Sequence, residues 1–592
     1  MRFSLVCETP AIMSKRHDNR EMNDALVVEI ARRGRLAVGI PFFEPGVPVP
    51  IDRRGIGDAG PGDLAVVTRG NAGRRARLER VLGRADRIET VLDGLLVSRG
   101  EHGADEPYDW PTPTTDGRVD LQELPTITID PETARDFDDA ISVRRDCDAL
   151  RAHVHIADVS HFVRAGTPLD NGAADRGFSV YVPGRVAPML PFELADDLCS
   201  LRPHQDRLAL TVEVPFGSGL TQGEATFYRS VIRSDARLTY GQAERMLAGS
   251  EGAPPAVSET LLLAERLAGE LRRRRYARGA LRVETPEVAF AFDGEGGVER
   301  AWLEAEPHAH MLVEELMILA NEAVAALLAS RQREALYRVH EPPDPRAIAR
   351  LIAMLADLEV PTPPAPDLDA LTPSAASTLA AEISERVTDY VGRSGRGSAA
   401  FPPLVLQALR QARYDPANLG HSGLASTAYC HFTSPIRRYP DLVCHRALLR
   451  ELGASDEPLP EDIDLLAANA SEREREAADV EYAADEICLA WLLQRTLFER
   501  GWDEPFAGEI TGVIASGLFV RFDRVYEGYL PARALGDDYY ELNALGTGLS
   551  GRRTGRSYRL GDPVEVRVVK VDRADGKVQL EPATRARLRP QV

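Results

Sequence analysis

Apolar and polar positions alternate in short runs over the first hundred residues. The runs Arg35–Ile40, Val47–Ile51, Asp63–Thr68, Arg77–Leu82 and Arg87–Leu92 are separated by glycine and proline. Five short strands at this spacing predict a small barrel over residues 25–100, for which the OB type is a candidate. Residues 1–24 are polar and predict a disordered segment. Residues 101–123 are rich in Pro, Asp and Gly and predict a linker. A mixed region follows, from about 124 to 500. It opens with strand patterns at Thr126–Asp130, Ala140–Val143 and Val154–Val159. Met311–Leu328 then places Leu312, Leu316, Leu319, Ala323 and Leu327 at the spacing of one buried helix face. Val360–Leu371 is proline-rich and predicts a loop, and Ala467–Phe498 predicts a long charged helix. Alternation returns over 505–583, at Phe506–Val513, Gly517–Phe522, Val564–Val571 and Lys577–Leu580, and predicts a second small barrel.

The 592 residues exceed what a single core organises and predict several domains. With 44% hydrophobic and 27% charged residues, the composition is that of a globular chain. No uninterrupted apolar run nears the ~20 residues of a membrane span. Cys7, Cys147, Cys199, Cys430, Cys444 and Cys488 are scattered without a C-x-x-C pair, which argues for reduced thiols in a cytoplasmic protein rather than disulfides or zinc. The net charge of −20 weighs against a nucleic-acid partner. Against that, the positive charge is almost all arginine, and it clusters at Arg272–Arg275 and at Arg552, Arg553, Arg556 and Arg559. Such clusters are read either as a positive channel inside an acidic shell or as solvated faces.

Three stretches carry candidate chemistry. Asp130, Asp136, Asp138 and Asp139 fall within ten residues, between two predicted strands. So many carboxylates repel one another unless a cation neutralises them, and hard oxygen ligands select Mg²⁺ or Mn²⁺ over zinc. A solvated acidic turn is the alternative. The second stretch, Tyr429–Asp441, contains Arg437 and Arg438 in a proline-bounded loop before a predicted helix. Arginine there suits a phosphate, or equally a salt bridge. The third, Arg176–Arg185, carries Tyr181, read as a surface for stacking a nucleobase or as a core residue.

Together these residues resemble the ribonuclease II/ribonuclease R (RNB) family of 3′-to-5′ exoribonucleases, from about Leu124 to Ala583. The resemblance rests on Ile129–Ala140, His155–His161, Ser179–Tyr181 with Pro188–Pro191, Asp197–Leu201, Glu314–Met317 with Asn321, Gly420–Ala425 and His431–Asp441. It implies a multidomain α/β chain, in which a mixed α+β catalytic domain over 124–500 is flanked by small OB-type RNA-binding barrels. These would be a cold-shock-like barrel over 25–100 and one of the ribosomal S-one type over 505–583. The space before the catalytic region holds a single OB domain, where relatives often have two.

The resemblance further implies that Asp130, Asp136 and Asp139 hold Mg²⁺, with Mn²⁺ as a substitute. Asp138 would place the attacking water or a second ion, and Arg437 would meet the charge developing on the phosphoryl oxygens. Tyr181 would stack on the 3′-terminal base. Glu314 or Glu315 would read a ribose 2′-hydroxyl, the group that tells RNA from DNA. Glu481 matches a family glutamate near the active site, although a surface role suits it as well. The implied activity is processive hydrolysis of single-stranded RNA to nucleoside 5′-monophosphates, by a monomer with no membrane or DNA partner. One departure is Val283, where relatives often carry a phenylalanine opposite the tyrosine, and it implies a weaker clamp and a different limit-product length.

Overall fold

The computed structural model describes residues 25–583 except 35, 53–56, 58, 70–74, 105–107, 148, 284–285, 305–307 and 368–370; the segment 1–24 predicted as disordered lies outside the described residues. The chain divides into two units, Met1–Glu101 and His102–Val592.

In the first unit, strands β1 (Ala25–Arg33), β2 (Leu36–Pro41), β3 (Val49–Pro50), β4 (Asp63–Thr68) and β5 (Arg77–Arg84) lie in the order β3-β2-β1-β4-β5. A parallel bridge between Ile51 and Ala76 joins the two edges, which gives the strand connectivity of an OB barrel. Leu26, Val28, Ile30, Ala65 and Val67 alternate into its core. Two expectations change here. The first strand, Ala25–Arg33, was not predicted, and Arg87–Leu92 is not a strand but the start of the helix Ile88–Ser98. Ile88, Val91, Leu92 and Leu95 are buried at helical spacing, a period that a six-residue window is too short to reveal.

The second unit is built on a seven-stranded sheet. Its strands are β6 (Val119–Leu121), β7 (Ile127–Asp130), β8 (Asp139–Asp146), β9 (Ala149–Ala157), β12 (Asp206–Phe216), β13 (Thr226–Arg233) and β14 (Ala236–Thr239), in the order β14-β7-β8-β9-β12-β13-β6. Between β9 and β12 the short hairpin of β10 (Val180–Val182) and β11 (Arg185–Ala187) stands apart from the sheet. Strand β6 lies inside the stretch read as a linker and pairs with β13. Just before it, Arg118 meets Asp158 at 2.7 Å with both side chains buried.

The period-two pattern sorts the two faces of this sheet. Ile141, Val143, Val154, Ile156, Leu210 and Val212 pack under the helices Pro255–Ala277, His308–Ser330 and Tyr439–Glu451. The opposite face buries polar groups that satisfy one another across five strands' worth of backbone. Thr126 bonds Ser142 at 2.8 Å and Ser142 bonds His155 at 3.1 Å. His155 in turn bonds Thr211 at 2.9 Å, and Thr211 bonds Ser230 at 2.7 Å. A buried polar chain of this kind is tolerable because each member has a partner, and a one-residue slip would break it.

In the helix His308–Ser330, Leu312, Leu316 and Leu319 are buried as predicted, but Val324 and Leu328 take the places expected for Ala323 and Leu327. The helix is covered by the sheet and by neighbouring helices over most of its circumference, so its buried stripe is wider than one amphipathic face. The long helix runs from Ile463 to Arg500.

The last described strands, Phe506–Ile514, Gly517–Phe522, Tyr526–Pro531, Pro563–Asp572 and Lys577–Pro582, form a closed barrel, again with OB connectivity. It is anchored to the helical region before it. Arg396 pairs with Asp562 at 3.0 Å, Asn543 donates to Asp357 at 3.2 Å, and Glu509 accepts the Ala399 amide at 3.0 Å.

Candidate active site

Strand β7 ends at Asp130 and its antiparallel neighbour β8 begins at Asp139, so the loop between them delivers all four aspartates to one end of the sheet. Asp138 is only 4% exposed. Its Oδ1 accepts the Ile436 amide at 2.8 Å, and its Oδ2 lies 3.5 Å from the Arg437 guanidinium. The acidic loop and the arginine loop, far apart in sequence, are therefore fastened directly to each other.

Burial pushes the Asp138 carboxyl well above the ordinary range, against the opposing pull of Arg437. Burial, followed by the charge of Asp139, does the same to Asp130. Asp139 is pushed up to about 6 by burial, with Arg437 and Arg438 opposing. Asp130 Oδ2 and Asp138 Oδ2 are buried without a hydrogen-bond partner. Buried carboxyls with unbonded oxygens are a donor set whose chemistry fits a hard cation such as Mg²⁺ or Mn²⁺. The fit is one of chemistry: among the described residues no three His, Cys, Asp or Glu side chains are already arranged as a cage.

The arginine loop is rigidly framed. Asp441, fully buried, accepts the Ser434 amide at 2.8 Å and takes Arg438 on both oxygens at 3.0 and 2.8 Å. Arg438 is thus a structural ion pair, whereas the Arg437 side chain is 47% exposed and faces Asp138. Asn321 adds a further support by accepting the Phe432 amide at 2.9 Å and donating to Tyr429 at 3.0 Å. The loop also zips onto the segment leading to Tyr181, since Ser179 donates to the Arg437 carbonyl at 2.9 Å and Tyr439 to that of Gly177 at 2.9 Å.

Tyr181, on β10, is 38% exposed. Its amide donates to Glu481 on the long helix at 2.8 Å, and its hydroxyl donates to Asp136. Backbone and side chain are both held while part of the ring faces outward, as a stacking platform requires. Asp130, Asp136, Asp138, Asp139, Tyr181, Arg437 and Glu481 are thus linked in one constellation. Glu314 and Glu315 turn elsewhere. Glu315 is 2% exposed and pairs with Arg275 at 2.5 Å, and Glu314, 38% exposed, lies 3.4 Å from the same guanidinium. Val283 is half-buried at the end of a segment pinned to Gly423 and Ser384.

Sequence reading missed Tyr240, which follows β14 and whose hydroxyl is pushed up by burial and then by the charges of Asp139 and Asp130. It also missed Asp196, raised by burial and then by Asp136. Neither residue had a local signal, because each reaches the acidic loop only through sheet pairing or a distant turn. Arg273 and Arg274 pair with Glu270, Arg275 with Glu315, Arg552 with Glu541 and Arg559 with Glu359. The arginine runs are largely ion-paired faces.

Residues 118–453 match the RNB domain and residues 502–581 the S1 RNA binding domain. Ribonuclease R of Aquifex aeolicus is 38% identical over 486 residues, covering 80% of this chain and 66% of that protein. Ribonuclease R of Escherichia coli is 37% identical over 481 residues, covering 78% and 57%. The chain therefore spans between about 57% and 66% of the length of these relatives. Among solved structures, Mycoplasma genitalium RNase R in complex with ribose-methylated single-stranded RNA superposes with a TM-score of 0.84 at 24% identity, covering 94% of this chain and 89% of that one. Yeast Ssd1, a pseudonuclease, shares the fold with a TM-score of 0.66 at 18% identity, covering 89% and 68%. With an RNB domain matched over more than half of its length and ribonuclease R relatives 37–38% identical, the chain belongs to the RNB family of ribonuclease II and ribonuclease R.

Proposed function

We propose that this chain is a processive 3′-to-5′ exoribonuclease that hydrolyses single-stranded RNA to nucleoside 5′-monophosphates. The observation that carries the reading is the direct fastening of the acidic loop to the arginine loop, with Asp138 Oδ1 on the Ile436 amide and Arg437 3.5 Å from Oδ2.

Asp130, Asp136 and Asp139 would hold the divalent cation, Mg²⁺ or Mn²⁺. When bound, it would supply Lewis-acid polarisation of the phosphoryl group and ease ionisation of a water. Asp138 has one oxygen committed to the backbone and one unbonded, which suits it to accept a hydrogen bond from the attacking water. Arg437 offers a planar fork to the phosphoryl oxygens as charge builds on them, an effect worth on the order of 10²-fold in turnover. Tyr181 stacks on the terminal base, and since every base has a π-face, sequence preference is slight. Glu314 or Glu315 would read a ribose hydroxyl; both meet Arg275, and Glu314 is the more exposed of the two. The reading also assigns residues 25–100 and 505–583, before and after a catalytic domain at 124–500 in the sequence, as RNA-binding barrels, in a monomer of the cytoplasm that leaves DNA intact. Among the described residues, no helix is long and apolar enough to cross a membrane.

The test is digestion of a 5′-labelled, unstructured RNA with Mg²⁺, beside Asp138→Asn and a DNA of the same sequence. Stepwise shortening of the RNA alone, lost with EDTA and in the variant, is the expected result. RNA that is bound but left intact would overturn the reading in favour of a binding protein that kept the fold.

A further inference from the structure

Between β7 and β8 the loop Asp130–Asp139 has one turn of its own, closed by the Ala134 amide on the Pro131 carbonyl at 3.2 Å, and the rest of its shape depends on what grips it from outside. The grips on its second half are clear. Ser200 donates to the Arg135 carbonyl at 2.6 Å and accepts the Phe137 amide at 3.0 Å, and Leu201 donates to the Phe137 carbonyl at 2.9 Å. The Ile436 amide holds Asp138. None of these reaches Pro131–Glu132, where the chain leaves Asp130.

That half is gripped by one side chain that neither the sequence motifs nor the proposed chemistry uses. Arg237 sits on β14, directly opposite Thr128 of β7 in parallel register. Its Nη2 donates to the carbonyls of both Pro131, at 2.5 Å, and Glu132, at 3.0 Å. Its guanidinium also lies over the Phe137 ring, 5.5 Å from the centroid. One planar group thus spans the loop from its first residues to its last. It also brings a permanent positive charge to a loop of four carboxylates, beside Asp130.

We propose that Arg237 is a positioning residue that staples the two halves of the acidic loop and pre-forms the cation site. This rests on the reading that the loop holds a divalent cation. Nη2 alone bonds two adjacent carbonyls while the guanidinium lies over the ring, and a lysine ammonium, compact and without the planar group, would not hold the same positions. Residues that orient metal ligands without touching the ion typically change metal affinity by about 10–100-fold when altered. Arg237→Gln and Arg237→Lys are therefore expected to weaken cation binding by on the order of 10-fold or more. Turnover at saturating cation should stay within about twofold of wild type, since Arg237 acts through the loop rather than on the RNA.

Two measurements test this on the full chain. Hydrogen exchange of the metal-free protein reads the staple without any metal: amides of 132–136 should exchange several-fold faster in both variants, while 202–210 stays unchanged. Calorimetric titration with Mn²⁺ then reads the site, with a weaker midpoint in both variants. Unchanged exchange at 132–136 overturns the staple. Unchanged Mn²⁺ affinity with turnover lost overturns the positioning role and makes Arg237 a contact to substrate. If wild type bound no Mn²⁺ yet exchange rose in the variants, the staple would stand and the reading of the loop as a cation site would fall. Arg237→Lys, which retains the charge, keeps the test decisive if the glutamine variant folds poorly.

Discussion

Burial pushes the Asp139 carboxyl up to about 6, with Arg437 and Arg438 only partly offsetting it. A carboxyl held above its ordinary value binds its proton more tightly in the folded chain than in the unfolded one. Its stabilising contribution is complete below about pH 4 and is lost as pH rises through about 6. Asp130 and Asp138 are raised by the same cause and act in the same direction. Without a cation, the site is therefore a liability at neutral pH. In EDTA, Asp139→Asn should gain melting temperature relative to wild type as pH rises from 4 to 7, and Mg²⁺ should shrink the difference by stabilising wild type. A difference that is flat or reversed across that window would count against a buried, repelling carboxylate set. Val283 poses a separate question. Its segment is fixed by the Leu281 amide on Gly423 at 3.0 Å and the Arg282 amide on Ser384 at 2.7 Å, so a larger side chain there acts locally. If position 283 faces the RNA, Val283→Phe will shift the limit product of a short oligonucleotide. Identical ladders would show that it does not.

The helix Tyr439–Glu451 begins where the arginine loop ends, and its seating decides where Arg437 points. That seating is a buried ion pair. Arg446, 2% exposed, donates to Asp170 at 2.7 Å and to the Val163 carbonyl at 2.9 Å, and Tyr439 donates to Asp170 at 3.0 Å. Asp170 belongs to the helix Pro168–Arg176, whose end leads into the tyrosine hairpin. One buried pair thus seats both elements that frame the site. Removing a single partner strands a buried charge, which costs about 3–5 kcal/mol. Arg446→Met should lower the unfolding free energy by that amount, read as a lower urea midpoint with an unchanged slope, and Arg446→Met with Asp170→Leu should recover much of it. A loss under about 1 kcal/mol would mean that water reaches the pair. The adjacent thiols Cys430 and Cys444, with Sγ atoms 3.3 Å apart, are buried in the core between the sheet and its helices.

Across the chain, what could be read in advance follows how far apart the interacting groups lie. Strand alternation was legible in most strands of both barrels, though not in Ala25–Arg33 or Tyr526–Pro531, because side chains point to opposite faces at period two whatever the partner. The helix at 88–98 was misread because only a window longer than its apolar cluster separates period 3.6 from period 2. The net charge of −20 raised an objection that the arginine runs could not answer, since most of them pair with neighbouring carboxylates. Arg437 is half-exposed beside Asp138, whereas its neighbour Arg438 is taken up by Asp441.

Four aspartates in ten residues, and an arginine loop ahead of a helix, are written in the chain as local chemistry, legible without any fold. That Asp138 meets Ile436 across 298 residues, and Tyr181 meets Glu481 across 300, is settled only once the sheet and the long helix are packed. The same holds for Arg237, which reaches Pro131 across 106 residues through the parallel pairing of β14 with β7. Local order dictates which groups share a loop. Which groups from elsewhere arrive beside them depends on long-range packing, because no local spacing encodes a contact whose partners are joined only through the core.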